Sequence, residues 1–234
     1  MRILAFSDMH GDVRAVAAAA SELAAADLVL LAGDITHFGG RRAAAELIGE
    51  LRKHNQRVLA VAGNCDTPEA ATYLADEGIS VHRRHVIVGG LAVAGVGGSL
   101  PCPGRTPNEI SESDFARYLG EAVAGVAAAT PLVLLLHQPP FGAAIDRSHS
   151  GDHVGSHAVR TFVEDRRPLL CIAGHIHEAR GQDRIGDSAV VNPGMLRAGY
   201  YASVAVSDGA DEPETDAGQP TARPTCVVEL KETA

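Results

Sequence analysis

Short runs in which every position is apolar recur along this chain, separated by stretches rich in alanine or with apolar residues spaced four apart. A short all-apolar run reads as a strand buried on both faces, and the stretches between read as crossover helices of a partly parallel sheet. Ile3–Phe6, Leu28–Ala32, Val58–Ala62, Leu132–Leu136 and Leu169–Ala173 are such strands. Helices are predicted over Val13–Ala26, Arg41–His54, Pro68–Glu77, from a capping sequence at Ser111 to about Ala129, and over Ser156–Asp165. His85–Val88 and Leu91–Ala94 flank Gly89-Gly90 and predict a hairpin. Ser188–Val191, Tyr201–Val206 and Cys226–Leu230 follow with no helix between them, which predicts antiparallel pairing.

Composition narrows the class. A chain of 234 residues, 46% hydrophobic and 21% charged, is globular and long enough to bury a large core. No linker divides it, so one domain is expected over residues 1–234, interrupted by a flexible acidic insertion at about 207–222. The net charge of −9 argues against a broad phosphate-gripping surface and hence against stable nucleic-acid binding. Cys65, Cys102, Cys171 and Cys226 form neither a C-x-x-C pair nor a dense framework. With no export signal and no run of membrane-spanning length, a cytoplasmic protein without membrane partners is expected, and a homo-oligomer is left open.

The chemistry gathers just after the apolar runs. Asp8-Met9-His10 follows the first strand, Gly33-Asp34 the second and Gly63-Asn64-Cys65-Asp66 the third; His137 and Gly174-His175-Ile176-His177 follow the later two. The carboxyl ends of parallel strands line one crevice, so these side chains are expected to converge there. Carboxylate oxygen and imidazole nitrogen suit Mn, Fe, Zn, Co or Ni, and no thiolate set marks a structural zinc site. Two divalent ions placed side by side need a shared carboxylate, for which Asp34 is the natural choice. Taken singly, each motif also reads as a helix cap, a turn or a surface histidine; their ordered combination points to a two-metal site.

These motifs resemble those of the calcineurin-like metallophosphoesterase superfamily, and Gly33-Asp34-Ile35-Thr36-His37-Phe38-Gly39 with Gly95-Val96-Gly97-Gly98-Ser99 is similar to small prokaryotic phosphoesterases related to the cyclic-AMP phosphodiesterase Icc. The resemblance implies an α/β fold, a four-layer αββα sandwich of two mixed β-sheets flanked by helices. It also implies two divalent ions, with manganese favoured: one on Asp8, His10, Asp34 and His177, the other on Asp34, Asn64, His137 and His175. The implied activity is hydrolysis of a small phosphodiester, such as a cyclic nucleotide, by a metal-bridging hydroxide. Asp34, Asn64 and His137 would act through the ions. The alternatives are a phosphomonoesterase and a non-catalytic scaffold on the same fold. Much of the family has histidine, placed to protonate the leaving group, where this chain has Cys65, so Cys65 and the nearby His37 are further candidates for catalytic or substrate-side roles.

Overall fold

Four of the helices begin where the sequence supplies a side-chain cap. Asp12 Oδ1 accepts the N–H groups of Arg14 and Ala15 at 3.0 and 3.2 Å, and Ser111 and Ser156 each accept the N–H three residues on at 3.1 Å. Thr67 does the same for Ala70, ahead of Pro68 in the first turn.

A computed structural model describes residues 1–207 and 224–233. Past Ser207, the expected acidic insertion lies outside the described residues. The elements run β1 (Arg2–Phe6), α1 (Val13–Ala18), α2 (Ala20–Ala25), β2 (Leu28–Ala32), α3 (Arg41–Arg52), β3 (Val58–Val61), α4 (Pro68–Asp76), β4 (Arg84–Val88), β5 (Leu91–Val96) and α5 (Glu112–Ala122). They continue with β6 (Leu132–Leu136), α6 (His157–Arg166), β7 (Leu170–Ile172), β8 (Gly181–Ile185), β9 (Ser188–Asn192), β10 (Tyr200–Ser207) and β11 (Thr225–Glu232).

The strands form two mixed sheets, ordered β11-β10-β1-β2-β3 and β4-β5-β6-β7-β9-β8. Between them, Ile3, Ala5, Leu30 and Val61 pack against Val93, Val133, Leu135 and Ile172 in one buried layer. The opposite face of the first sheet is covered by α1 to α4 through Val16, Leu23, Leu47, Leu51 and Leu74. The opposite face of the second is covered by α5 and α6 through Phe115, Leu119, Val159 and Val163. This is the expected αββα sandwich, and both faces of its central strands are buried, which is why their sequences do not alternate. Among the described residues no helix is long and apolar enough to cross a membrane.

Three expectations are corrected, and one strand was not expected. Val13–Ala26 is two short helices, because the Ala19 N–H turns back to Val16 O at 3.1 Å and tightens the chain there. The helix opened by Ser111 ends at Ala122 rather than Ala129. β9 is not antiparallel to its neighbour on both sides: it pairs parallel with β7 and antiparallel with β8. β8 itself, Gly-Gln-Asp-Arg-Ile, carried no strand signal because it is an exposed edge with only Ile185 buried.

Just before β4, at the open end of the β4–β5 hairpin, sits a half-buried base. His82 Nδ1 accepts the Gly97 N–H at 3.0 Å and its ring meets the Tyr118 edge at 5.5 Å. Burial, with the Arg83 charge beside it and only partial relief from Glu121, pushes the His82 imidazole down to about 4. A neutral native histidine that charges on unfolding stabilises the fold fully above its unfolded value near 6.5, and that contribution is lost as pH falls toward 4. Between pH 7.5 and 5 the fold is expected to lose about 2 kcal/mol from this residue. Urea unfolding checks it: His82→Gln loses less stability over that interval than the native chain, and an equal loss in both contradicts the assignment.

Candidate metal centre

β1, β2 and β3 run parallel in one sheet, and β6, β7 and β9 run parallel in the other, so the carboxyl ends of each set gather at an edge of its sheet. Asp8 and His10, Asp34, Asn64, His137, and His175 with His177 all leave these ends, and the structure brings them together. The turns are tight enough to force non-glycine residues into the left-handed region: φ is +53° at Asp8, +48° at His10, +50° at Asp34 and +71° at His175. Such conformations cost about 1–3 kcal/mol each and persist where surrounding structure imposes them, as at active sites.

Two glycines make the approach feasible. A Cβ at Gly63 would overlap the Asp34 backbone and carboxylate, and one at Gly174 would overlap the Ser7 hydroxyl. Hydrogen bonds then fix three of the donors. His137 Nδ1 faces the Ala32 carbonyl at 2.7 Å and must carry the proton, so Nε2 presents its lone pair to Asn64 Oδ1 at 2.8 Å and Asp34 Oδ1 at 3.4 Å. Asp34 Oδ1 accepts the Cys65 N–H at 2.8 Å while Oδ2 stands 3.8 Å from His10 Nε2, so the carboxylate faces both halves of the site. Asp8 Oδ2 accepts the Ser7 hydroxyl at 2.6 Å and the His175 N–H at 3.2 Å, leaving Oδ1 toward His177 Nε2 at 3.2 Å. His10 Nε2 is 3.4 Å from His177 Nε2.

The groups Asp8/His10/His177 and Asp8/Asp34/His137 each bring ligand atoms within 4.8 Å of one another, as does His10/Asp34/Cys65. Adjacent donors on one ion with bonds of ~2.1 Å lie about 3.0–3.4 Å apart. Four of the separations above fall at or close to that range, and they join atoms that are mostly acceptors, so the residues fit a bound cation. His10 Nδ1 is buried without a partner among the described residues, so this ring lacks the tether that orients His137.

His175 is more loosely placed: its ring lies 5.1 Å from that of His137, and its Nε2 is 3.8 Å from Cys102 Sγ. His37 is exposed at the rim, 5.4 Å from the His10 ring. Cys65 is buried beside Asp34, and burial together with that charge pushes its thiol far up.

Burial pushes the His175 imidazole down to about 4 and lowers His10 as well, keeping both neutral and able to donate a lone pair. His177 is raised, first by its hydrogen bond to Asp8. Burial would raise Asp8, but the imidazoles of His177 and His137 and the Ser7 hydroxyl hold it well below the usual carboxylate range.

Sequence reasoning gave Asp66 no role. Its buried carboxylate accepts the N–H groups of Ile35, Thr36 and Gly63 at 3.0, 2.7 and 2.8 Å and the Thr36 hydroxyl at 2.9 Å, tying the Asp34 turn to the Asn64 turn. Burial and the neighbouring Asp34 charge push it up to about 6, and the four donors favour its ionised form. Cys102, Met195 and Arg197 also line the ≈ 360 Å³ open cavity over the site.

Residues 1–209 match the family model for the calcineurin-like phosphoesterase superfamily domain. The chain belongs to that superfamily. It is 34% identical over 197 residues to an uncharacterized protein of Methanocaldococcus jannaschii, covering 82% of this chain and 88% of that one. Its fold is similar to that of the protein TT1561 of Thermus thermophilus, at TM-score 0.71 and 24% identity over 86% of this chain and 92% of the other. It is also similar to a dimetal phosphatase from Danio rerio, at TM-score 0.57 and 11% identity over 87% and 92% of the two chains. Those two likenesses concern the fold alone. Membership of the phosphoesterase superfamily supports a metal-dependent phosphoric ester hydrolase, and the Asp/His clusters provide places for the divalent ions the family implies.

Proposed function

We propose that this phosphoesterase hydrolyses small phosphodiesters at a two-ion centre, with Asp8, His10, Asp34 and His177 on one ion and Asp34, Asn64, His137 and His175 on the other. The observation that carries this reading is Asp34: one carboxylate oxygen faces His10 and the other His137. A carboxylate placed between two lone-pair clusters is what two adjacent cations require. The oxygen and nitrogen donors suit manganese among other divalent ions, the family resemblance favours it, and four free thiols suit a reducing cytoplasm.

When bound, the ions would neutralise phosphoryl oxygens and lower the pKa of water to make a nucleophile at neutral pH. The chain does the positioning. The Ala32 carbonyl holds His137 in the tautomer with Nε2 free, the Cys65 N–H holds Asp34, and Ser7 and the His175 N–H hold Asp8. Next to Asn64 the chain offers a thiol rather than an imidazole as an acid for the leaving group. The Cys65 thiol, pushed up by burial and the Asp34 charge, is a poor proton donor, and general-acid help is typically worth roughly 10²–10⁴ in rate. Diesters whose departing oxygen needs little protonation are therefore the expected substrates. The cavity of ≈ 360 Å³ suits a small ester.

A substrate panel tests this. With manganese present, bis-p-nitrophenyl phosphate is expected to be cleaved with kcat/KM about tenfold or more above that of p-nitrophenyl phosphate. Preference for the monoester overturns the diester assignment.

A further inference from the structure

Beyond the strand ends that carry the metal-site residues, the loop after β9 reaches the cavity. After β9 the chain makes a short 3-10 turn, Leu196–Ala198; Met195 just before it and Arg197 within it line the cavity with His10, His175 and His177. Among the described residues Arg197 is the cavity's only lysine or arginine. The family-type motifs at the strand ends assign it nothing.

The turn is pinned from two sides. The Leu196 N–H donates to Ser7 O at 2.9 Å, Met195 pairs with Ser7 in a parallel bridge, and Leu196 is fully buried. Ser7 is the neighbour of Asp8, so the turn is registered to the first carboxylate of the site. On the other side, buried Asn192 donates its Nδ2 to Ile176 O at 2.8 Å and accepts the Gly194 N–H at 2.9 Å, which registers the same loop to the His175/His177 segment. The backbone that carries Arg197 is thus fixed to both segments of the Asp8/His10/His177 cluster.

The side chain, by contrast, is exposed, and among the described residues nothing forms a hydrogen bond or ion pair with its guanidinium. Arg180, nearby in the sequence, is occupied: it donates to Lys231 O at 3.1 Å, lies 3.8 Å from Glu232 and stacks on Tyr200 at 4.4 Å. A guanidinium offers five donors in a planar fork matched to two phosphate oxygens. Such a group at the mouth of a metal cavity is free to take an anionic partner from outside.

We propose that Arg197 is a substrate-binding residue that clamps the phosphoryl group of the ester as it enters the site, supplying a fixed cation in addition to the ions. This rests on the phosphoester reading above but is tested separately from it. Inorganic phosphate binding to manganese-loaded protein is measured by calorimetry for the native chain, Arg197→Met and Arg197→Lys, with metal content assayed in each. Arg197→Met is expected to bind phosphate about tenfold or more weakly at unchanged metal content. Arg197→Lys, a point charge without the fork, is expected to fall between. On bis-p-nitrophenyl phosphate the Met variant is expected to raise KM by a similar factor. Native protein that binds no phosphate, or a Met variant within twofold of it, overturns the proposal. Protein that binds phosphate through Arg197 yet cleaves no ester defeats the hydrolase reading and leaves this one standing. Rapid hydrolysis that is indifferent to Arg197 does the reverse.

Discussion

Asp34→Asn is expected to reduce kcat/KM about 10³-fold or more and to lower the number of manganese ions bound, without lowering the stability of the metal-free chain. Asparagine keeps the shape, and its Oδ1 still accepts the Cys65 N–H that Asp34 holds at 2.8 Å. What disappears is the negative charge facing both His10 and His137. Loss of a tether merely outside a metal's own ligands typically costs 10–100-fold in affinity or activity, so loss of the shared charge is expected to exceed that. The metal-free fold should gain, because the Asp34 charge opposes ionisation of buried Asp66. The melting temperature of metal-free Asp34→Asn is therefore predicted to equal or exceed that of the metal-free native chain. A variant that retains full activity would sink the role given to Asp34.

Asp66→Ala is expected to do the opposite, destabilising the fold whether or not metal is bound. Its side chain receives four hydrogen bonds in a fully buried position. Alanine would leave three backbone N–H groups without partners, each with a desolvation cost of about 1–3 kcal/mol, partly relieved by entering water. A net loss of roughly 3–5 kcal/mol follows, which for a chain of this size lowers the melting temperature by about 10 °C. Asp66→Asn, which keeps one acceptor oxygen, is expected to fall between. A change below about 1 kcal/mol for Asp66→Ala, read by thermal or urea unfolding, would show that the carboxylate does not hold the two turns together.

The contrast between Asp34 and Asp66 shows what could be read from the sequence. Both are acidic residues in turns after buried strands, and residue type alone does not distinguish them. Asp34 was legible because His10, His137 and the other candidate ligands sit at corresponding places after other strands. Asp66 was not, since its role consists of backbone N–H groups that any sequence possesses. The strands β1, β2, β6 and β7 were legible because burial on both faces demands unbroken apolar runs. β8 was silent because an exposed edge makes no such demand, and the parallel placement of β9 depends on that missed strand beside it. Cys102 and Arg197 reach the cavity from loops whose path is set by tertiary hydrogen bonds, such as that from Leu196 to Ser7, which leave no local pattern.

The central claim is that two divalent ions held by this donor set make the chain a phosphoester hydrolase. It is tested most directly by stripping the protein with a chelator, adding back Mn²⁺, and following bound metal and bis-p-nitrophenyl phosphate cleavage in the same titration. The account predicts no cleavage by the stripped protein, saturation at two ions per chain, and activity that rises with occupancy to its full value at saturation. Saturation at a single ion, or two ions bound with no hydrolysis of any phosphoester, would contradict it.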